Sequence, residues 1–436
     1  MKNVQNITLV EFDGLNTFSS CQTNSFPTTL SSIQIPWKYS EDTVCNIDAV
    51  SIGTCGTSCK WYYNHNKKTL TITGTKMNDF HSINSIPWKT RLSEIQTAII
   101  DGPENISKRA LINTTSLERM IIKTNIKTIH PQSLTESAIE YVEYQGTEQL
   151  ECDNSILPSK ITEIEVAMGY KVSHFCNRLS KTHGICGSTK NDCSFEYNHE
   201  TKFLNISGSG AMNDYSINTP SPWSAKKDEV QIINIGDITK IGSYSFYGFT
   251  IFDSLHIPIT VSSIGESAFE GVSKIRTITI YSNLNSVGKN AFGNMAMLNT
   301  FVYLGTTTPQ CNEKIFSEGV LVNKVYANAS YTGLTSFCQK ECDNTIVTNG
   351  ECGKRMKYIT TNKNELIIYG EGEMNEIDPE NKPWKEYDET IEKIELKEGI
   401  RTINNKTFKS MIKVKTFSKT LINSFLFFFF QTPLFH

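Results

Sequence analysis

Residues 264–280 read IGESAFEGVSKIRTITI, and the reading of this stretch decides the fold. Nearly the same seventeen letters stand before it at 241–257, IGSYSFYGFTIFDSLHI, and after it at 287–303, VGKNAFGNMAMLNTFVY. Ile241, Ile264 and Val287 are 23 residues apart each time, and so are Phe246, Phe269 and Phe292. Leu255, Ile278 and Phe301 keep the same register, as do Ile257, Ile280 and Tyr303. A constant period in the twenties is the signature of a solenoid. The period-two segment of each copy, such as TITI, reads as a short strand with Leu255, Ile257, Ile278 and Ile280 inward and His256 and Thr279 outward. Gly242, Gly265 and Gly288 fit a turn that needs a positive φ. One such coil cannot bury its apolar side alone, so stacked coils cover one another and form a parallel sheet along one wall. The same beat recurs at Ile106 and Ile129, at Leu111 and Leu134 with MIIK at 120–123 as strand, and at Ile403 with Phe408.

The coils sit inside a longer module. Its head opens on Cys-Gly at Cys55, Cys186 and Cys352 and reads as strand, polar turn, strand, hence a β-hairpin. Met77, Met212 and Met374 follow, then Pro-Trp at Trp88, Trp223 and Trp384, and a strand is expected seven residues later at Ile95, Val230 and Ile391. Each module also has a tail. From Cys21 and from Cys152 the chain places Ile at +12, a β-branched residue at +14, Tyr at +18 and Cys at +24. Cys311 to Cys338 keeps that order with insertions. The tail reads as a last, degenerate coil closing the open end of the stack, which otherwise exposes core and strand backbone. The fold expected is mainly β: short leucine-rich-repeat solenoid segments, with a parallel sheet of ~23-residue coils, alternating with β-hairpin heads and caps. The domains expected are a tail fragment at 1–52, a first module at 53–184, a second with a longer stack at 185–350, and an incomplete third at 351–436.

The twelve cysteines follow this modular plan. Matched tail spacing points to Cys21–Cys45, Cys152–Cys176 and Cys311–Cys338, although four cysteines per module allow three connectivities. Cys55 with Cys59 and Cys186 with Cys193 form short head pairs. The third head lacks the second partner, and Cys342 upstream stands as the candidate partner of Cys352. Disulfides imply an oxidising compartment. Buried free thiols and zinc are the rival readings. The heads lack the C-x₂-C spacing of structural zinc sites, and the eight histidines are scattered.

The coil pattern IG-x-x-AF-x-G-x-x-x-I-x-x-I-x-I resembles the BspA-like, Treponema-type, leucine-rich repeats. The match is specific over 241–303 and looser over 106–144 and after 400. The heads, with LTITG or LNISGSGAMNDY and then Pro-Trp, are similar to the β-rich segment that precedes such repeats in microbial surface proteins. The resemblance implies a non-enzymatic surface or secreted protein used in adhesion to host, matrix or other cells.

The formal net charge of -3 gives no sign of nucleic-acid or basic membrane-surface binding. No apolar stretch reaches the length of a membrane-spanning helix, and FLFFFF at 425–430 is far too short. The N-terminus, MKNVQNITLVEFDGL, has no apolar secretory core. The chain starts inside a tail and stops inside a coil, the pattern of a truncated or misread product that has lost its leader. No catalytic fingerprint, calcium loop or cofactor motif is present, so neither an enzyme nor a cofactor is expected. His65 and His199 share an Asn-His turn and read as solvated turn residues. The Pro-Trp pairs invite sugar stacking, but their fixed distance from a strand favours a core role. Sequons at Asn6, Asn105, Asn113, Asn205, Asn328 and Asn405 are about as frequent as the composition alone would give. A protein or glycan ligand on another cell or matrix would meet the outward side of the coil strands: Ser254, His256, Thr277, Thr279, Tyr281, Thr300 and Val302. That face is uncharged and hydroxyl-rich. The competing reading is an intracellular scaffold using the same face.

Overall fold

The computed structural model describes residues 10–11, 26, 30–36, 39 and 41–419, apart from 254, 312, 334, 404–406 and 409. The phenylalanine run, Cys21, Asn6 and Asn405 lie outside these residues. Mainly β structure is what the coils and hairpins build: among the described residues there are strands and short 3₁₀ turns but no α-helix. Two compact units result, Met1–Thr182 with Asn198–Thr201, and His183–Tyr197 with Lys202–His436.

In the first unit the main sheet runs in the order Ser32–Gln34, Ile47–Gly56, Cys59–Asn64, Thr69–Gly74, Thr97–Asp101, Arg119–Ile122, Tyr141–Tyr144, Glu163–Val166 and the start of Arg178–Ile185. The head strands pair antiparallel and the coil strands pair parallel, as a hairpin feeding a solenoid requires. Alternation sends Ile72, Ile100, Ile122, Tyr144 and Val166 into the core. A second, short parallel ladder of Asn105–Ile106, Thr128–Ile129 and Glu151–Cys152 carries the opposite edge of the coils. Tyr144, Tyr170 and Phe175 close the last coil, with ring centroids 5.1–6.5 Å apart.

In the second unit Phe246, Phe269 and Phe292 form one interior column. Their rings are stacked at 5.3 and 5.7 Å, each pair 6° from parallel. Trp223 begins the column, 5.8 Å above Phe246. Its indole nitrogen donates to the Ser245 carbonyl at 2.8 Å, as Trp88 does to Ala110 in the first unit at 2.9 Å. Trp88, Trp223 and Trp384 are fully buried, so these three offer no face to a sugar. The main sheet here runs Thr277–Ile280, Thr300–Tyr303, Val325–Asn328, Lys340–Gly353, Met356–Thr361, Glu365–Gly370, Lys393–Leu396 and Thr416–Lys419. Lys240–Ile241, Ser263–Ile264 and Ser286–Val287 form the short ladder.

Three expectations change. Residues 255–257 carry no strand. Ile257 is buried and His256 exposed as read, but Pro258 next to them has no N–H to extend a ladder. Gly242, Gly265 and Gly288 do not sit at positive φ; Gly248 and Gly271 do. The first three are glycine because a Cβ would come within 1.8 Å of the Asn213 carbonyl oxygen, 2.3 Å of the Ser243 nitrogen and 2.4 Å of the Glu266 nitrogen. They let one coil's backbone settle on the next. Finally, the strands after the tryptophans begin at Thr97, Ile232 and Lys393, two residues beyond the buried Ile95, Val230 and Ile391.

Truncating the middle ring tests the column. Phe269→Ala is expected to cost about 3–5 kcal/mol, the range for deleting a buried aromatic ring. Urea denaturation of the two proteins measures it, and a cost near zero would mean that the rings do not stack in solution.

Candidate binding face

The residues expected to face solvent on the second coil stack fall into three groups. Ser254 lies outside the described residues. His256 is exposed, and Thr277 and Tyr281 are half-buried. Partial desolvation, then the nearby Lys357, lowers the His256 pKa. Thr279, Thr300 and Val302 are buried, at 7%, 1% and 0% exposure.

For Thr279 and Val302 the reason is that another part of the same unit lies on them. Val302 packs in a cluster with Tyr326, Ile346, Ile359, Ile367 and Tyr369. Thr279 and Tyr369 hydroxyls are 3.3 Å apart. The ammonium of Lys357 sits 4.9 Å above the Tyr281 ring. Lys357, Ile359, Ile367 and Tyr369 belong to the third head, strands Met356–Thr361 and Glu365–Gly370, while Tyr326 and Ile346 lie on the strands between coils and head. The sheet reaches them by curling. Lys340–Gly353, the long strand between tail and head, shifts register at Ile346/Thr348 and again at Glu351/Gly353. Its neighbour shifts at Tyr326/Asn328. Bulges bend a strand and increase its twist, and together they turn the outer side of the head towards the outer side of the coils.

Charge surrounds this contact, contrary to the uncharged face expected. Arg276 meets Glu398 at 3.0 Å and Glu371 at 3.7 Å. Arg355 meets Asp253 at 2.6 Å. Lys397 donates to the Tyr326 hydroxyl at 2.9 Å. Asp343 is buried between Lys324 and Lys363 at 2.6 and 3.1 Å. Burial alone would raise its pKa, but hydrogen bonds from Lys324, Thr345 and Lys363 outweigh that and hold it near 2. Sequence reading missed Ile359, Ile367 and Tyr369. The signal was there: LIIY at 366–369 is an unbroken apolar run, the mark of a strand covered on both sides, where the other heads alternate as LTIT and LNIS.

Among the described residues four cystines are formed: Cys55–Cys59, Cys152–Cys176, Cys186–Cys193 and Cys311–Cys338. Cys45 is also disulfide-bonded. Each tail bridge ends on a two-residue turn of left-handed backbone, Cys176-Asn177 or Cys338-Gln339, and Cys45-Asn46 has the same geometry. The Cys342–Cys352 pairing is not formed, and both are buried free thiols. They lie ten residues apart on one strand, which separates them by about 30 Å. A bridge requires Cα atoms roughly 4.4–6.8 Å apart. Burial raises both thiols to about 12, so they stay protonated.

His65 and His199 are buried, not solvated. Ser51 Oγ lies 2.9 Å from His65 Nε2, and Thr182 Oγ1 lies 2.8 Å from His199 Nε2. Each imidazole ties a head turn to the strand before the head. Among the described residues no group of His, Cys, Asp and Glu could hold a metal ion, and no helix is long and apolar enough to cross a membrane.

Residues 82–153 and 229–362 match, in six copies, the family described as BspA type leucine rich repeat region. The two matched stretches are thus BspA-type leucine-rich repeat regions. No curated protein matches it. Among solved structures the chain is similar to a leucine-rich repeat protein from Eubacterium ventriosum, at 16% identity over 65% of this chain and 80% of that one, TM-score 0.23. It is similar to the pneumococcal vaccine antigen PcpA, at 10% identity over 85% and 99%, TM-score 0.25. It is also similar to a leucine rich cell surface protein from Faecalibacterium prausnitzii, at 12% identity over 84% and 94%, TM-score 0.18.

Two measurements follow. Thiol titration of denatured, unreduced protein is expected to give two free thiols per chain, Cys342 and Cys352, and twelve after reduction; a larger first count would unseat the cystines. The second concerns His65, whose pKa burial lowers from 6.5 to about 4. The unfolded chain then binds more protons than the fold between those values. Stability is therefore full above pH 6.5 and falls as pH drops towards 4, by about 3 kcal/mol. His65→Asn, the residue that stands at Asn362 in the third head, is expected to flatten that acid slope in thermal melts.

Proposed function

We propose that the chain is a non-enzymatic binding protein of the cell surface or the extracellular medium, adhesive towards other cells or matrix through its repeats. The observation that carries this reading is the cystine set. Tail and head bridges recur at corresponding places in both units, and such bridges persist in oxidising compartments and are rare in reducing ones. They brace coil stacks too short to bury a large core, where each bridge typically adds about 2–4 kcal/mol. A rigid stack of coils suits extended contact with a protein or glycan rather than capture of a small molecule. On the second stack the ligand-facing residues in this reading are the ones that stay at least partly exposed, His256, Thr277 and Tyr281.

Protease shaving of intact cells that express the chain, followed by immunoblotting, tests the location. Loss of the full-length band without lysis is expected. A band that resists until the cells are broken would count against a surface role, and an equal amount in the washed medium would favour secretion.

A further inference from the structure

We propose that the third head is a built-in cover of the second coil face: a cis occupant held by Ile359, Ile367 and Tyr369, whose lifting uncovers a surface fitted to a flat β-structured partner. This rests on the preceding reading in taking coil faces as ligand surfaces, but the cover itself can be measured with no ligand present.

Two features single out this junction. The first is length. Cys45 to Cys55 and Cys176 to Cys186 are each ten residues apart, whereas Cys338 to Cys352 are fourteen. The four extra residues lie in the strand Lys340–Gly353, which carries a register shift at Ile346/Thr348 that the first head lacks, whereas the shift at Glu351/Gly353 has its counterpart at Thr54/Gly56. The second is the outward row of the hairpin. Ile359 pairs with Ile367, and Lys357 with Tyr369. The corresponding outward positions of the second head are Glu196, Asn205 and Ser207, and of the first head Tyr62, Thr71 and Thr73. Glu196 is tied to His183 at 3.1 Å, with both side chains well exposed. Only the third head turns branched aliphatic side chains outward, and these are the ones buried to 0%.

The receiving surface is matched to them. Val302 and Tyr326 provide the apolar centre, and the Thr279 hydroxyl meets that of Tyr369. Around this centre run the ion pairs of Arg276 with Glu371 and Glu398, and of Arg355 with Asp253. The apolar centre and charged rim are the anatomy of a protein–protein interface. The partner this surface takes when uncovered therefore has the character of its cis occupant: an extended β-surface with a small aliphatic and tyrosyl centre.

The test exchanges the three cover residues for those of the second head, I359E/I367N/Y369S, in the full chain. Hydroxyl-radical footprinting with mass spectrometry reads Tyr326, which lies at 4% exposure under the cover, and Tyr303, which lies in the coil interior. In the unsubstituted protein both are expected to resist oxidation. In the triple variant Tyr326 is expected to react several-fold faster while Tyr303 stays protected. Tyr326 remaining protected in the triple variant, or reacting freely in the unsubstituted protein, overturns the proposal. Should the triple variant unfold the unit, Ile367→Asn alone gives the reading: Tyr326 rising ahead of Tyr303 supports a separable cover, and the two rising together refutes it. None of these outcomes depends on where the protein resides or what it binds, so they stand apart from the fate of the adhesive reading.

Discussion

The face-to-face contact of rings one coil apart sets the terms for everything else in the second unit. Strands of a sheet lie about 4.8 Å apart, and Phe246, Phe269 and Phe292 stack at 5.3–5.7 Å. Rings can keep that spacing only if every coil returns to the same place after the same number of residues. The 23-residue period is therefore the consequence of a packing requirement. The glycines answer the same demand from the backbone side, because Gly265 and Gly288 lie where a Cβ would strike the coil before. Trp223 starts the column and is anchored to the coil by its donation to Ser245. A head thus nucleates a stack physically as well as in sequence order: its tryptophan is the first ring on which the coils build.

The far end of each stack meets a different constraint. The last coil has no successor, so its inner wall must be closed by something that is not a coil. Both units use the same device. Tyr144, Tyr170 and Phe175 close one end wall, and Tyr303, Tyr331 and Phe337 the other. Tyr170 donates to the His174 carbonyl and Tyr331 to that of Ser336, so the buried phenols are not left without partners. The tail cystine ends on the left-handed turn just past this cluster. It ties that turn back to the coil edge, and in the first unit its partner Cys152 sits in the short ladder itself. Closure by three aromatics and one covalent bond lets a stack of few coils exist at all.

Legibility in the sequence followed periodicity. The phenylalanine column, the head hairpins and the tail bridges were readable because each repeats at fixed spacing, so one copy checks another. What failed was what occurs once. The Cys342–Cys352 pairing was inferred as a displaced copy of a head bridge, when an insertion had placed the two thiols far apart on one continuous strand. Positive φ was assigned to Gly242, Gly265 and Gly288 from residue type, although close backbone approach demands the same residue. His65 was read as solvated from its polar neighbours, and its burial depends on Ser51 across the sheet, a partner that no local pattern announces. The binding face failed most instructively: in a coil taken alone Thr279 and Val302 do point away from the interior, and only the curl of the sheet makes that outside a second inside.

That curl and the residues beneath it need each other. A longer, bulged strand carrying the outward row of the second head would press a carboxylate and an amide against Val302 and Tyr326, and burying such groups without partners costs several kcal/mol or forces the surfaces apart. Conversely, an outward Ile359, Ile367 and Tyr369 on a ten-residue connection would leave in water an apolar strip that takes in the outer side of the run LIIY, a liability for association. Each change alone is unfavourable, and the two together bury the strip and satisfy the bend. The half-buried Arg276, held by Glu371 and Glu398 at once, adds registry, because those two carboxylates lie side by side on paired segments of the third module and Arg276 on the coil stack reaches both. The third junction is therefore best understood as a coupled change in length and polarity, which converts a repeat of the common plan into one that folds over its predecessor.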